Sequence, residues 1–296
     1  MPASSLTTAE IATQPECWQR AAETAGAEGG KLPRPGERVA VIGCGTSWFM
    51  AQSYAALRER SGQGETDAFA ASEFPFGRRY DRVVAITRSG TTTEVIRACE
   101  QLRGSTPVTA VTADPNTPVM AAADEVVVLG FADEQSVVQT RFATTVLILL
   151  RAHLGEDPTS AITDARTAVK DELPAGLTDA DQFTFLGTGW TYGLAQEAAL
   201  KMREAAGAWT ESYPAMEYRH GPVSITGPGR AVWSFGPLPD GLADDVAGAG
   251  GRLEARPAID PLADLIRAQR LAVAIAEAKG DDPDRPRNLT RSVILS

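Results

Sequence analysis

Cysteine and histidine are scarce: the 296 residues hold 3 of the first and 2 of the second. Cys17, Cys44 and Cys99 lie far apart and form no CxxC pair. That excludes a disulfide framework and a structural zinc site, and it fits a reducing, cytoplasmic setting. His153 and His220 have no second histidine at metal-ligand spacing, so no metal is expected, and any imidazole chemistry falls on one of these two residues. No apolar run approaches the roughly 18 residues of a membrane span. Residues 1–30 show no basic start followed by an apolar stretch, so no secretory signal and no membrane partner are expected. Positive charge is also short. Lys and Arg number 28 against 38 Asp and Glu, a net charge of −10. That argues against a nucleic-acid groove or an anionic membrane surface as partner, because both need clustered cations. A Walker loop is absent. The one Gly-rich turn that resembles a dinucleotide fingerprint carries Trp48 where the last glycine belongs, so no nucleotide or redox cofactor is expected.

What the sequence does hold is a repeated strand–helix grammar. Hydrophobic residues make up 43% and charged residues 22%, too apolar for disorder, and the length suits about two domains. The apolar run 39–43 precedes a helical pattern over 48–60. The run 83–87 precedes one over 92–102, and 108–112 and 125–129 supply two more strands. Continuous β-branched strands alternating with helices predict an α/β fold, a parallel sheet covered on both faces. A long buried helix is expected over 137–154, and one N-terminal helix, capped by a Thr, over 8–25. The grammar restarts at 183–187 with a helix over 191–207. Aligning 41–52 (VIGCGTSWFMAQ) with 185–196 (FLGTGWTYGLAQ) matches Gly43 with Gly187, Gly45 with Gly189, Ala51 with Ala195 and Gln52 with Gln196. Two related halves follow. They are expected as a helical segment over 1–30, a first domain over 31–155 and a second, shortened domain over 178–296. In the second half 229–238 and 251–256 read as strands, 237–251 as a loop or poor helix, and 261–279 as a helix.

Two segments sit where a strand hands over to a helix: Gly43-Cys44-Gly45-Thr46-Ser47 and Thr87-Arg88-Ser89-Gly90-Thr91-Thr92. Ligands of open parallel sheets bind outside the carboxyl ends of the strands. A helix N-terminus there offers free N–H groups, the Ser and Thr hydroxyls add donors, and Arg88 adds a charged one. An acidic protein can bind a small phosphorylated ligand in this way. Taken singly, each segment also reads as an ordinary Ser/Thr helix cap.

Glu197, Lys201 and Glu204 fall at i, i+4 and i+7 and share one helix face. Spacing alone reads as a solvent-exposed ladder of ion pairs. The alternative is a carboxylate base beside an amine, the pair needed to move a proton next to a carbonyl. Downstream, His220 lies between carboxylates and a Gly-Pro turn, on irregular backbone where functional residues concentrate. As an isolated histidine it also reads as structural.

Taken in order, EIATQPECW, IGCGTS, ASEF, TRSGTTTE, SVVQTRFATT, ALKMREAAGAWTESYPAMEYRHGP and DRPRNLTRSVIL cover nearly the whole chain. The series resembles the sugar isomerase (SIS) family. Within it the likeness is to tandem members: amino-sugar-phosphate deaminases and the isomerase half of glucosamine-6-phosphate synthase. The resemblance implies two flavodoxin-like three-layer subdomains that bind a sugar phosphate without a cofactor, in a homodimer. It implies that Gly45, Thr46, Ser47, Thr87, Arg88, Ser89, Gly90 and Thr92 contact phosphate or sugar. Val137 and the tail residue Arg291 would line the sugar, the tail closing over it. Glu204 would shuttle a proton between C1 and C2, Lys201 would lie beside the carbonyl carbon, and Glu197 would hold that helix face. His220, supplied by the neighbouring subunit, would assist ring opening. The synthase pattern has Gln where this chain has Arg88, Glu where it has Thr91, and Lys where it has Arg291. TRSG and SVVQTRF follow the deaminase and ketose-isomerase branch instead. Pro2, not a cysteine nucleophile, stands directly after Met1, so internal ammonia production from glutamine is not expected. The implied activity is conversion of glucosamine 6-phosphate or galactosamine 6-phosphate to the ketose phosphate with loss of ammonia. Simple isomerisation, deglycation of a sugar-phosphate–amino-acid adduct, and a non-catalytic sugar-phosphate sensor are the alternatives. A sensor has no need of Glu204, Lys201 and His220 together.

Overall fold

A computed structural model describes residues 5–295; positions 1–4 of the expected N-terminal segment and position 296 of the expected second domain lie outside the described residues. The N-terminal stretch is two helices, α1 (Leu6–Ala12) and α2 (Gln14–Glu28), not the single one expected over 8–25. Pro15 explains the break: a proline ring clashes with the carbonyl four residues earlier, so the first helix must end before it. Ser5, not a threonine, caps α1, its hydroxyl accepting from the Thr8 N–H at 3.2 Å.

The chain folds as two compact units. One comprises Glu16–Gln135, Gln139–Pro158 and Thr290–Ser296. Its elements after α2 are β1 (Val39–Gly43), α3 (Thr46–Arg60), β2 (Thr66–Ala70), β3 (Arg82–Ile86), α4 (Thr93–Leu102), β4 (Val108–Thr112), α5 (Val119–Ala122), β5 (Glu125–Val128) and α6 (Arg141–His153). The five strands are all parallel, in the order β2-β1-β3-β4-β5. Every residue of β1, β3 and β4 is buried, as strands covered on both faces require. Alternate side chains feed one face: Ala40, Ile42, Val83, Ala85, Val108 and Ala110 pack with Val95, Ala98 and Cys99 of α4. On α6, Thr144 is bonded to Trp18 of α2, whose indole N–H donates to its hydroxyl at 2.9 Å.

The other unit comprises Met1–Pro15, Ser136–Val138 and Thr159–Leu289. It contains α1, α7 (Thr159–Ala168), β6 (Gln182–Gly187), α8 (Thr191–Ala206), β7 (Trp209–Pro214), β8 (Arg230–Phe235), α9 (Leu242–Gly248), β9 (Arg252–Ala255) and α10 (Pro261–Lys279). Its four parallel strands run β7-β6-β8-β9, the same order with one strand fewer. The stretch expected as loop or poor helix carries α9, which packs Leu242 and Val246 on Leu186 and Val232 of the sheet. Helix α10 lies against α8 and α7. Among the described residues no helix is long and apolar enough to cross a membrane.

The repeat seen in the sequence has a steric cause. A Cβ on Gly43 would strike Ser47 at the start of α3, and a Cβ on Gly187 would strike Thr191 at the start of α8. Two residues on, Gly45 and Gly189 take φ of 54° and 58°, the left-handed region that glycine enters without penalty. Each half therefore turns from its first strand directly into a helix packed on the strand end.

Candidate functional site

In the five-stranded unit the strand order reverses at β1, whose neighbours β2 and β3 lie on opposite sides. Open α/β sheets bind ligands at such a switch point, outside the strands' carboxyl ends. The two hydroxyl-rich segments follow β1 and β3, so the fold brings them to that place. Thr46 and Ser47 form the first turn of α3 and are buried. Thr87, Arg88 and Ser89 are buried too, although each carries a polar group. The loop bonds to itself: the Gly90 N–H donates to Thr87 Oγ1 at 3.3 Å and the Thr91 N–H to Ser89 Oγ at 3.2 Å. Gly90 has φ 62°, and a Cβ there would drive into the Thr117 side chain. Cys44 is not a nucleophile of this loop. Burial, with Glu94 adding to it, pushes its thiol up to about 11, so it stays protonated at neutral pH.

Arg88 is held from two sides. Its guanidinium lies 3.7 Å from a Glu134 carboxylate oxygen and donates to the Arg291 carbonyl at 3.1 Å. Arg291 in turn donates to the Glu134 carbonyl and pairs with Asp133. The structure thus gathers Thr87, Arg88, Ser89, Gly90, Thr92 and Arg291 of the expected set around one loop. Glu134 is the residue that sequence reasoning missed. Its buried carboxylate accepts from the Thr140 N–H at 2.6 Å, the Thr140 hydroxyl at 2.7 Å, the Arg141 N–H at 2.8 Å and the Phe142 N–H at 3.3 Å. It closes the N-terminus of α6 from six residues upstream of Thr140, a spacing that no helix-start rule covers. It also explains why the helix expected over 137–154 begins only at Arg141. Val137 lies ahead of the helix in the other unit, its N–H donating to the Asp284 carbonyl at 3.0 Å.

In the four-stranded unit, α8 carries the two carboxylates and the amine. The solvent-exposed ladder that spacing alone suggested is not what forms. Glu197 is 0% and Lys201 1% exposed. The ammonium lies 3.5 Å from Glu197 Oε1 and pairs directly with Glu204. A lysine this deep is held by its partners, because removing one partner of a buried pair typically costs about 3–5 kcal/mol. Glu204 alone keeps contact with solvent, its side chain 20% exposed. It lines an open cavity of about 660 Å³ with Arg203, Lys279, Asp281 and Arg287. Burial lowers Arg203 from its ordinary range, and Glu204 and Glu197 oppose that shift.

His220 ends a short 3-10 turn, Glu217–His220, that follows β7 and is anchored by buried Tyr218. The imidazole is exposed, and among the described residues no hydrogen bond or ion pair joins it to Glu197, Lys201 or Glu204. His153 is structural: its Nε2 lies 2.9 Å from the Pro33 carbonyl at the end of α6.

No protein-family model matches the chain. It is 27% identical over 295 residues to the glutamine–fructose-6-phosphate aminotransferase (isomerizing) of Sulfurisphaera tokodaii, a match covering 88% of this chain and 50% of that protein. The chain thus spans about half the length of the curated relatives it matches. Among solved structures, glucosamine-6-phosphate deaminase from Thermotoga maritima superposes with a TM-score of 0.79 at 23% identity, over 98% of this chain and 100% of that one. The C-terminal domain of glucosamine-fructose-6-phosphate aminotransferase from Francisella tularensis does so with a TM-score of 0.80 at 20% identity, over 96% and 99%. At these identities the structural likeness speaks for the fold alone. Together with the ordered motifs, these matches make the chain similar to proteins of the sugar isomerase (SIS) family.

Proposed function

We propose that the chain is an aldose–ketose isomerase that deaminates an amino-sugar 6-phosphate, glucosamine 6-phosphate or galactosamine 6-phosphate, in the cytoplasm. The observation that carries this reading is the buried Lys201 held between Glu197 and Glu204, with Glu204 alone open to a cavity. A sensor that only holds a sugar phosphate has no use for an ammonium kept out of water beside a solvent-reaching carboxylate.

In this reading the loop 87–92 and the turn at Gly45, Thr46 and Ser47 receive the phosphate, and Arg291 flanks it. His220 comes from a second copy of the chain in a homodimer and assists ring opening. Glu204 takes the C2 proton of the open aldehyde and returns it to C1. Lys201 stabilises the oxygen that gains negative charge between those two steps. The C1 aldehyde becomes an alcohol and the C2 amine becomes an imine. Water then adds at C2, the C–N bond breaks, and ammonium leaves with the ketose 6-phosphate. Glu197 holds Lys201 in place on that helix face. The names of the Thermotoga deaminase and the Sulfurisphaera aminotransferase support the amino-sugar chemistry.

The test is release of ammonium and ketose phosphate from glucosamine 6-phosphate, with galactosamine 6-phosphate run in parallel. Equal amounts of both products from either sugar are expected. Ketose without ammonium would overturn deamination, and no product from a sugar that binds would overturn catalysis.

A further inference from the structure

The loop 87–92 is already occupied. Segment 290–295 of the same unit lies along it and supplies an acceptor to every kind of donor that the loop would offer a phosphate. The Ser292 hydroxyl oxygen sits among three others: Thr91 Oγ1 at 2.9 Å, Ser89 Oγ at 3.2 Å and Thr92 Oγ1 at 3.3 Å. The Thr93 N–H, the first amide of α4, donates to the Val293 carbonyl at 3.2 Å. The Arg88 guanidinium donates to the Arg291 carbonyl. Hydroxyls, a helix N-terminus and a guanidinium are the anion-binding set of this fold, and all three meet neutral oxygens of one short segment.

What holds the segment is polar. Val293, Ile294 and Leu295 are each more than half exposed, so no apolar burial fixes it. The Leu295 N–H also donates to Thr93 Oγ1 at 2.8 Å, and the Arg291 side chain pairs with Asp133. Hydrogen bonds between neutral groups are worth about half of those to a charged acceptor. Bond for bond, a phosphate dianion is therefore a stronger acceptor for the same hydroxyl and amide donors than the segment is.

We propose that segment 290–295 is a built-in stand-in for phosphate: the Ser292 hydroxyl and the Val293 carbonyl fill the loop when no ligand is present, and a phosphorylated ligand must displace them to bind. The inference rests on the reading of loop 87–92 as the phosphate site. It deepens that reading by making the segment a competitor whose hold on the loop sets the apparent affinity, because a partly occupied site lowers apparent affinity by the fraction that is free.

Inorganic phosphate is the probe, measured by calorimetry on the full chain and by hydrogen exchange of the 290–295 amides. Phosphate is expected to bind and to speed exchange at Leu295. Ser292→Ala is expected to bind phosphate about fivefold more tightly, since one set of competing hydrogen bonds is gone. Ser292→Asp is expected to bind at least about tenfold more weakly, since a carboxylate takes the site as a charged acceptor. Ser89→Ala, with one loop donor lost, is expected to weaken phosphate binding and reports on the loop alone. If Ser89→Ala weakens binding while Ser292→Ala, Ser292→Asp and the exchange at Leu295 are unaffected, the loop reading stands and the stand-in is overturned. If neither the parent chain nor Ser292→Ala binds phosphate, the loop reading fails and the stand-in with it.

Discussion

The Lys201 ammonium lies 3.5 Å from Glu197 Oε1, and neither side chain reaches solvent. This pair separates α8 from an ordinary surface helix. A buried cation one turn from a buried anion is held by mutual charge, and it presents the ammonium to Glu204, the member of the trio that water can reach.

Breaking the pair from the Glu197 side is expected to cost stability as well as activity. Glu197→Ala leaves Lys201 with Glu204 as its remaining carboxylate in this trio and is predicted to destabilise by about 3–5 kcal/mol. Thermal or urea unfolding measures it. A loss below about 1 kcal/mol would show that Glu197 is not the counter-charge.

Glu134 is predicted to act on affinity through Arg88 and on stability through α6. Glu134→Gln keeps the shape but loses the charge, and the cap term alone is worth about 1 kcal/mol. KM for the sugar phosphate should rise with kcat little changed, because Arg88 loses its anchor and not its charge. A fall in kcat at constant KM would contradict this positioning role.

The four-stranded unit carries its own pH dependence. Asp264 on α10 accepts from the Trp233 indole N–H at 2.9 Å and from Arg267 at 2.7 Å. Burial nevertheless pushes its carboxyl up from 3.8 to about 6, with Trp233 and Arg267 opposing the shift. Between these two values the folded chain holds a proton that the unfolded chain has released. The contribution of Asp264 to stability is therefore fully present below about pH 4 and is lost as pH rises through about 6, a change on the order of 3 kcal/mol. Urea midpoints across that range should show the slope in the parent chain and its loss in Asp264→Asn. An unchanged slope in the variant would assign it to other groups.

The two strand-end glycines give a paired test of the repeat. Gly43→Ala and Gly187→Ala each put a methyl into the next helix, and overpacking of this kind typically costs about 1–3 kcal/mol. Similar losses in both, read from unfolding, are expected; tolerance at one would mean that the halves turn differently.

The inner strands β1, β3 and β4 were legible as apolar runs because they are buried on both faces, whereas β2 and β7, only partly buried, carry polar residues and give no such run. The Gly43 and Gly187 match identified the repeat because sterics leave no other residue there. The helix breaks were less legible. Pro15 ends α1 by a local clash, but Glu134 starts α6 from a distance, and no short-range pattern encodes that. Burial of Lys201 was equally hidden. Spacing says that three charges share a face; only the surrounding sheet and α10 decide whether that face meets water. The seat of Ser292 joins positions about two hundred residues apart, which only the folded chain brings together.

In the proposed reaction Glu204 moves the proton. The most direct measurement is turnover of glucosamine 6-phosphate by Glu204→Gln, with binding of the same sugar measured alongside. A loss of about 10²–10⁴-fold in kcat with sugar binding retained is predicted, the usual weight of a general base. Full turnover by Glu204→Gln would contradict it.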